Sequence, residues 1–256
     1  TTDKVSLITD APLSDLGKLL GTYPGAIEVK QQRFELQSTR FNDTSPFSGG
    51  ASITNGGNQC TSGFAVHNRT RASDQYMVTA AHCFANSNVV WSGRTGGPTL
   101  GVVRFRFADN DFELIGNGSY THNIYTGGTH DSTATHFIYT TRAARVGVKV
   151  CVSGQTTFNH CGHKISNDRF SVQWPNSGVS VSNGNGFVYD RGGTNNPCYC
   201  NGEITKGGDS GAPVYEPDTT DSGAMLVGMH EGVVNGHMVG VKVNAILNES
   251  GTALTT

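Results

Sequence analysis

Apolar and polar positions change period along this chain. Over residues 12–21 the leucines of Pro12-Leu13-Ser14-Asp15-Leu16-Gly17-Lys18-Leu19-Leu20-Gly21 recur at helical spacing, and Gly21 stands where a C-cap belongs. Residues 26–30 then read as a strand. Past Ser48-Gly49-Gly50 the helical period disappears. Short β-type runs follow at 63–67, 76–80, 89–91, 102–107, 112–115, 136–140, 146–152, 186–189, 213–215, 225–230 and 237–243, separated by Gly, Asn, Asp and Ser clusters. Asn183-Gly184-Asn185-Gly186 and residues 191–196 read as surface loops. Many short strands with no crossover helices predict an all-β fold of antiparallel sandwiches or barrels.

Composition narrows the function. Of 256 residues 34 are glycine and 15% are charged, which suits a turn-rich β protein better than a disordered chain or a helical bundle. Eighteen basic against 20 acidic residues leave a net charge of −2, arguing against a nucleic-acid partner or a polybasic membrane adaptor. At 27.1 kDa a fold buries roughly 70% of the surface of the extended chain, enough for a full core. No apolar run approaches the ~18 residues that span a bilayer, and no basic-then-apolar leader opens the sequence, as expected of a mature or trimmed form. The six cysteines (Cys60, Cys83, Cys151, Cys161, Cys198 and Cys200) are even in number in a Lys-poor chain rich in Gly, Ser, Thr and Asn, which favours disulfides and a secreted, oxidising location. Asn-x-Ser/Thr acceptors begin at Asn42, Asn68, Asn117 and Asn248; they carry glycans only in a eukaryotic secretory host.

Two segments carry chemistry. Gly207-Gly208-Asp209-Ser210-Gly211-Ala212-Pro213 surrounds a serine with glycines. A serine hydroxyl becomes a useful nucleophile when it is exposed, has a base for its proton, and lies beside N–H groups that face a developing oxyanion. Glycines around Ser210 let the Gly208 and Ser210 N–H groups converge; alone, the heptad is equally a glycine-rich turn. In Tyr76-Met77-Val78-Thr79-Ala80-Ala81-His82-Cys83 a strand delivers a histidine into a tight turn, and Cys83 can staple that turn to Cys60. A fixed backbone is what a general base needs. His160-Cys161-Gly162-His163 with Cys198-Tyr199-Cys200 has spacings that would also suit zinc.

Together, Thr79-Ala80-Ala81-His82-Cys83 and Gly208-Asp209-Ser210-Gly211 resemble the chymotrypsin-type serine proteases, over roughly residues 42–245. Finer matches resemble the bacterial, streptogrisin-like branch: 60–66 ahead of the histidine, Val150-Cys151-Val152-Ser153-Gly154-Gln155-Thr156-Thr157 with Cys161-Gly162, and 42–51 as a mature start. The resemblance implies two antiparallel β-barrels, roughly 50–130 and 136–245, with the site between them. It implies a secreted, monomeric endopeptidase acting on proteins or peptides, with no cofactor and no metal. A catalytically silent binding protein on the same fold is the competing reading. The chain then divides into an N-terminal segment 1–40 resembling the end of a pro-region, a barrel over 41–135, and a barrel with tail over 136–256. His82 is the general base and Ser210 the nucleophile; Gly208 and Ser210 supply the oxyanion hole. Of Asp109, Asp111 and Asp131, Asp111 fits the family pattern of an aspartate followed by an aromatic residue and a buried strand. The resemblance pairs Cys60 with Cys83 and Cys151 with Cys161 rather than placing them on zinc, which leaves Cys198 and Cys200 to each other.

Departures bear on activation and specificity. The chain lacks the Ile/Val-Val-Gly-Gly start of trypsin zymogens, so an N-terminal salt bridge to Asp209 is not expected. Val152 stands where the bacterial branch often answers that aspartate with a basic residue, leaving Lys149 or Lys206 as substitutes. Trypsin-like enzymes carry an aspartate six residues before the serine; here it is Ile204. Gly228-Met229-His230 resembles the pocket strand of glutamyl endopeptidases and of viral 3C-type cysteine proteases, so His230, with Thr205, Gly232 and Val233 lining the pocket, implies a preference for Glu, then Gln, at P1. Against it stand Glu231 beside that histidine and the absence of a hydroxyl at Gly207 and Val233; a small-to-medium apolar pocket is the alternative.

Overall fold

The computed structural model describes residues 4–9, 12–31, 38–175, 177–190, 204–218 and 223–256. The pair Cys198 and Cys200, and the loop expected over 191–196, lie outside the described residues. The chain divides into two units, Thr1–Gln37 and Ser38–Thr256.

In the first unit the leucine-spaced segment forms a 3-10 turn, Leu13–Leu16, running into a helix, Gly17–Thr22. Gly21 lies inside that helix rather than capping it. The strand expected at 26–30 is Ile27–Gln31, paired in parallel with Val5–Thr9.

The second unit holds two sheets. One runs, in spatial order, Thr252–Leu254, Ala65–Asn68, Gln75–Ala80, Phe112–Gly116, Thr99–Phe107, Val89–Ser92, Ser52–Thr54 and Gln59–Thr61. The other runs Pro213–Pro217, Lys149–Gly154, Phe158–Gln173, Ser180–Asp190, His237–Lys242, Gly223–Val234, Thr135–Thr141, Tyr120–Tyr125 and Phe47–Gly49. Pro213–Pro217 also pairs with Gly223–Val234, which closes six of these strands into a ring. The architecture is the two-barrel, chymotrypsin-like fold. Two pairings are parallel, Thr135–Thr141 with Gly223–Val234 and Tyr120–Tyr125 with Phe47–Gly49, where antiparallel neighbours were expected throughout. Asn183-Gly184-Asn185-Gly186 is not a free loop either: it lies within Ser180–Asp190, where Asn183 and Gly184 take positive φ of 56° and 67° and kink the strand.

Burial follows the pattern. Met77, Val78, Thr79 and Ala80 are all buried, as is every residue of Phe112–Gly116, because these neighbours lie at the centre of the first sheet. Val150, Val152, Ile165, Phe187, Val214, Val227 and Met238 fill the closed ring. Each large apolar side chain so buried contributes roughly 2 kcal/mol. Cys60–Cys83 and Cys151–Cys161 are bridged. The first ties the turn after Gln75–Ala80 to Gln59–Thr61 across 23 residues, worth roughly 3 kcal/mol in chain entropy.

Candidate active site

The functional side chains gather where the two sheets meet. The Thr61 N–H donates to the Ser210 carbonyl (2.8 Å), the Thr61 hydroxyl donates to the Gly208 carbonyl (2.9 Å), and the Gln155 N–H donates to the Thr61 hydroxyl oxygen (3.0 Å). Glycine is required at this seam. A Cβ on Gly211, at φ 90°, would lie 2.3 Å from both the Thr61 carbonyl oxygen and the Thr79 hydroxyl.

His82 follows the strand Gln75–Ala80, and Asp111 opens the neighbouring strand Phe112–Gly116, paired Phe112 to Ala80. The ladder therefore sets the two side by side. Asp111 takes φ 47°, unusual for a non-glycine residue, and its side chain is wholly buried. Both its oxygens face His82: Oδ1 accepts the His82 main-chain N–H at 2.9 Å and Oδ2 lies 2.8 Å from Nδ1. This fixes the ring, and with Nδ1 as donor leaves Nε2 free to accept a proton. Asp109 and Asp131, the other aspartates weighed, are exposed.

Ser210 is half-buried, and its hydroxyl donates to the Glu231 carbonyl at 3.1 Å. Among the described hydrogen bonds neither the Gly208 nor the Ser210 N–H is given to a protein acceptor, while those of Asp209, Gly211 and Ala212 are. Gly208 has φ 98°, a conformation a side chain would strain.

Asp209 anchors this loop. Its Oδ1 accepts the Thr156 and Thr157 N–H groups (2.8 and 3.1 Å), and Oδ2 accepts the Lys206 N–H and the Thr157 hydroxyl (both 2.8 Å). The buried carboxylate is thus answered by three amides and a hydroxyl, not by an ammonium. The expected substitutes fail: Lys206 contributes its main-chain N–H, and Lys149 is an exposed strand residue. A cation does lie nearby. Arg40 is wholly buried, and its guanidinium donates to the carbonyls of Gly50, Gly154 (3.0 Å), Tyr125 (3.3 Å) and Gly127 (3.0 Å) and to the Ser153 hydroxyl (2.9 Å). Burial lowers it to about 10, so it stays charged at neutral pH, with Asp209 among the groups that favour the charge.

His230 lies on Gly223–Val234 and is buried. Its Nδ1 is 2.8 Å from the Tyr189 hydroxyl, and the Val239 carbonyl takes a hydrogen bond from the ring. Burial, with His160, His82 and His163 nearby, pushes its imidazole down to about 3, so it is neutral at physiological pH. It is buried rather than part of an open wall. Thr205 is buried with an unpartnered hydroxyl, Gly232 packs against Trp174, and Val233 is exposed. His160 and His163 sit against each other (Nδ1 to Nε2, 2.6 Å), His160 also meeting the Thr157 hydroxyl at 2.9 Å. Cys161 between them is in a disulfide, so no thiolate there is left for zinc.

Two residues of the site had no assigned role. Trp174 stands edge-on to His82, ring centres 6.4 Å apart. Glu231 was read only as a charge beside the pocket. It is a buried acid beside His82 and Asp111: Oε2 is 3.9 Å from His82 Nδ1, and burial, reinforced by Asp111, raises its carboxyl well above the usual range.

No protein-family model and no curated protein matches the chain. Solved structures do match. Nocardiopsis protease (NAPase) is 24% identical, with a TM-score of 0.61 over 82% of this chain and 98% of that one. Thermobifida fusca protease A is 22% identical, with a TM-score of 0.62 over 82% and 98%. A protein described as a glutamic acid specific serine protease that uses a novel histidine triad in substrate binding is 23% identical, with a TM-score of 0.63 over 81% and 99%. At these identities the likeness is one of fold.

Proposed function

We propose that this protein is a secreted serine endopeptidase. The observation that carries the reading is the pairing of His82 with Asp111 through both carboxylate oxygens, together with a Ser210 whose own N–H and that of Gly208 are uncommitted among the described hydrogen bonds. Ser210 Oγ turns from the Glu231 carbonyl to His82, loses its proton to Nε2 and attacks the peptide carbonyl. The Gly208 and Ser210 N–H groups receive the oxyanion, each worth about 3 kcal/mol in the transition state. His82 returns the proton to the leaving amine, and water then cleaves the acyl-enzyme by the same steps. Structural neighbours that are themselves proteases, together with the two disulfides, support a protease in an oxidising location. Residues 1–40 are proposed as a pro-segment, 41–135 and 136–256 as the two barrels, and the working form as a monomer.

The test is fluorophosphonate labelling with turnover of a peptide library. Ser210→Ala and His82→Ala should each remove nearly all turnover, and the double variant should be little worse, because the residues act as one unit. Wild-type turnover in Ser210→Ala would end the reading.

For P1 we propose Glu, with Gln second. A neutral His230 whose Nδ1 accepts the Tyr189 hydroxyl keeps its proton on Nε2, where it can be donated to a side-chain oxygen of the substrate in place of the Val239 carbonyl. The glutamic acid specificity of one structural neighbour supports this choice. Cleavage after Phe, Leu or Lys without preference for Glu or Gln, or unchanged selectivity in His230→Ala, would refute it.

A further inference from the structure

Glu231 is the unexplained acid of the site. Its carboxyl is buried, with 2% of the residue exposed, and no N–H or hydroxyl among the described residues donates to either oxygen. An ionised carboxylate so placed would lack any compensation for its lost hydration. The group it faces is another acid: one oxygen each of Glu231 and Asp111 lies, with a His82 ring nitrogen, within 4.8 Å of the others. Two carboxyl oxygens can hydrogen-bond only when one carries a proton, and two such groups out of water share a single charge.

The structure decides which acid keeps the proton. Asp111 accepts two N–H bonds from His82, which favour its charged form, whereas Glu231 accepts none. We infer that Glu231 is a positioning residue that works as a neutral carboxylic acid, donating its O–H to the Asp111 carboxylate and holding it against His82. The inference rests on the serine-peptidase reading for its catalytic consequence. The chain then has a fourth member next to the triad, and it adds no charge beside the imidazole. Other titratable groups around this pair leave the arrangement intact. Tyr189 is buried and stays protonated, His230 is neutral, and Glu113, two residues after Asp111, is itself held neutral by burial against the opposing charge of Arg106.

The main experiment follows the side-chain carboxyl carbon of Glu231 by 13C NMR in the wild-type protein, which requires neither turnover nor a variant. At pH 7 it should sit at the protonated position; a carbon at the ionised position there overturns the proposal. Variants test the positioning. Glu231→Gln keeps a neutral donor, so kcat should stay within about threefold of wild type and the acid limb of its pH profile should not move. Glu231→Leu removes the donor and should lower kcat about 10- to 100-fold with KM little changed. It should also weaken the low-field proton signal of His82 Nδ1, which Glu231→Gln retains. A downward move of the acid limb by about one pH unit in Glu231→Gln would mean that a negative charge had been removed, and a Glu231→Leu enzyme with full kcat and an unchanged Nδ1 signal would mean that nothing had been positioned. Either overturns the proposal. Failure of the peptidase reading looks different: no turnover and no fluorophosphonate adduct, with both NMR readouts still deciding the state and role of Glu231.

Discussion

Gly154→Ala should dismantle the nucleophile loop without touching a catalytic side chain. A Cβ at residue 154 would stand 2.1 Å from Asp209 Oδ1 and 2.4 Å from Cγ. Ordinary contact begins beyond ~3.2 Å, so the carboxylate must retreat by about 1 Å. It has little room to do so, since its four hydrogen bonds, 2.8 to 3.1 Å long, come from backbone amides and one buried hydroxyl. A 1 Å retreat takes at least two of them past bonding distance. Hydrogen bonds to a buried carboxylate are worth about 1.5–3 kcal/mol each, so the fold loses roughly 3–6 kcal/mol, or about 6–24 °C in Tm for a body of this size. Should the loop instead follow the carboxylate, the Gly208 and Ser210 amides leave the oxyanion position and kcat falls about 10²–10³-fold. Calorimetry and peptide turnover read the two routes separately. Gly128→Ala, where nothing lies within 4 Å of the new Cβ, is the control and should match wild type. A Gly154→Ala protein with wild-type Tm and kcat would refute both the anchoring role of Asp209 and its link to the oxyanion hole.

Further outcomes follow from the other buried charges. Glu113 is buried without a hydrogen-bond partner, and burial raises it to about 9, with Arg106 opposing and Asp111 adding to the shift. The native state therefore binds this proton more tightly than the unfolded chain, and stability falls as pH rises from about 4.3 toward 9, by at most about 1.4 kcal/mol per pH unit. Glu113→Gln should flatten that decline in urea titrations between pH 5 and 9; an equal slope in the variant would sink the assignment. Arg40→Met removes five donors at similar volume and should cost about 3–5 kcal/mol, seen as a lower urea midpoint at unchanged m. Arg40→Lys should recover only part of the loss, because an ammonium cannot reproduce the fork; full recovery would show that charge alone matters there.

Strands whose own residues are apolar or β-branched were legible from the sequence, among them Gln75–Ala80, Phe112–Gly116 and Gly223–Val234. Phe158–Gln173, the longest, was not. It holds Asn159, His160, Gly162, His163, Lys164, Ser166, Asn167 and Asp168, a composition that reads as a turn. It is extended because it pairs on both sides, with Lys149–Gly154 and Ser180–Asp190. Such pairing is between residues distant in sequence and leaves no local period. The same holds for Ser52–Thr54, Gln59–Thr61 and Phe47–Gly49, three residues each, too short to alternate visibly. The strand expected over 237–243 runs one residue into the helix Val243–Glu249 because Val241 and Val243 continue the alternation, and the rest of that short helix, with Val243, Ile246 and Leu247 on its buried face, carries no reading from sequence.

The site divides along the same physical line. His82 and Ser210 announce themselves because each needs a special backbone, and special backbones require glycines, a cysteine or a tight turn that a sequence displays. Residues that act through other side chains leave no such mark. Arg40 precedes the strands it holds, and its five acceptors come from residues 50 to 154, so nothing near it in sequence hints at burial. Glu231 was visible, but its sign was misjudged. As a neighbour of His230 in sequence it looks like a charge facing substrate, yet the pairing with His237–Lys242 shifts register between His230 and Gly232, and the two side chains part there. His230 turns toward Tyr189 and Glu231 toward Asp111 and His82. An acid that would repel a glutamyl substrate as a charge in the pocket is, turned toward Asp111 and His82 with its proton retained, no obstacle to that substrate. The objection it raised to a glutamyl P1 preference falls away, and what stands against that preference is the absence of a hydroxyl at Gly207 and Val233.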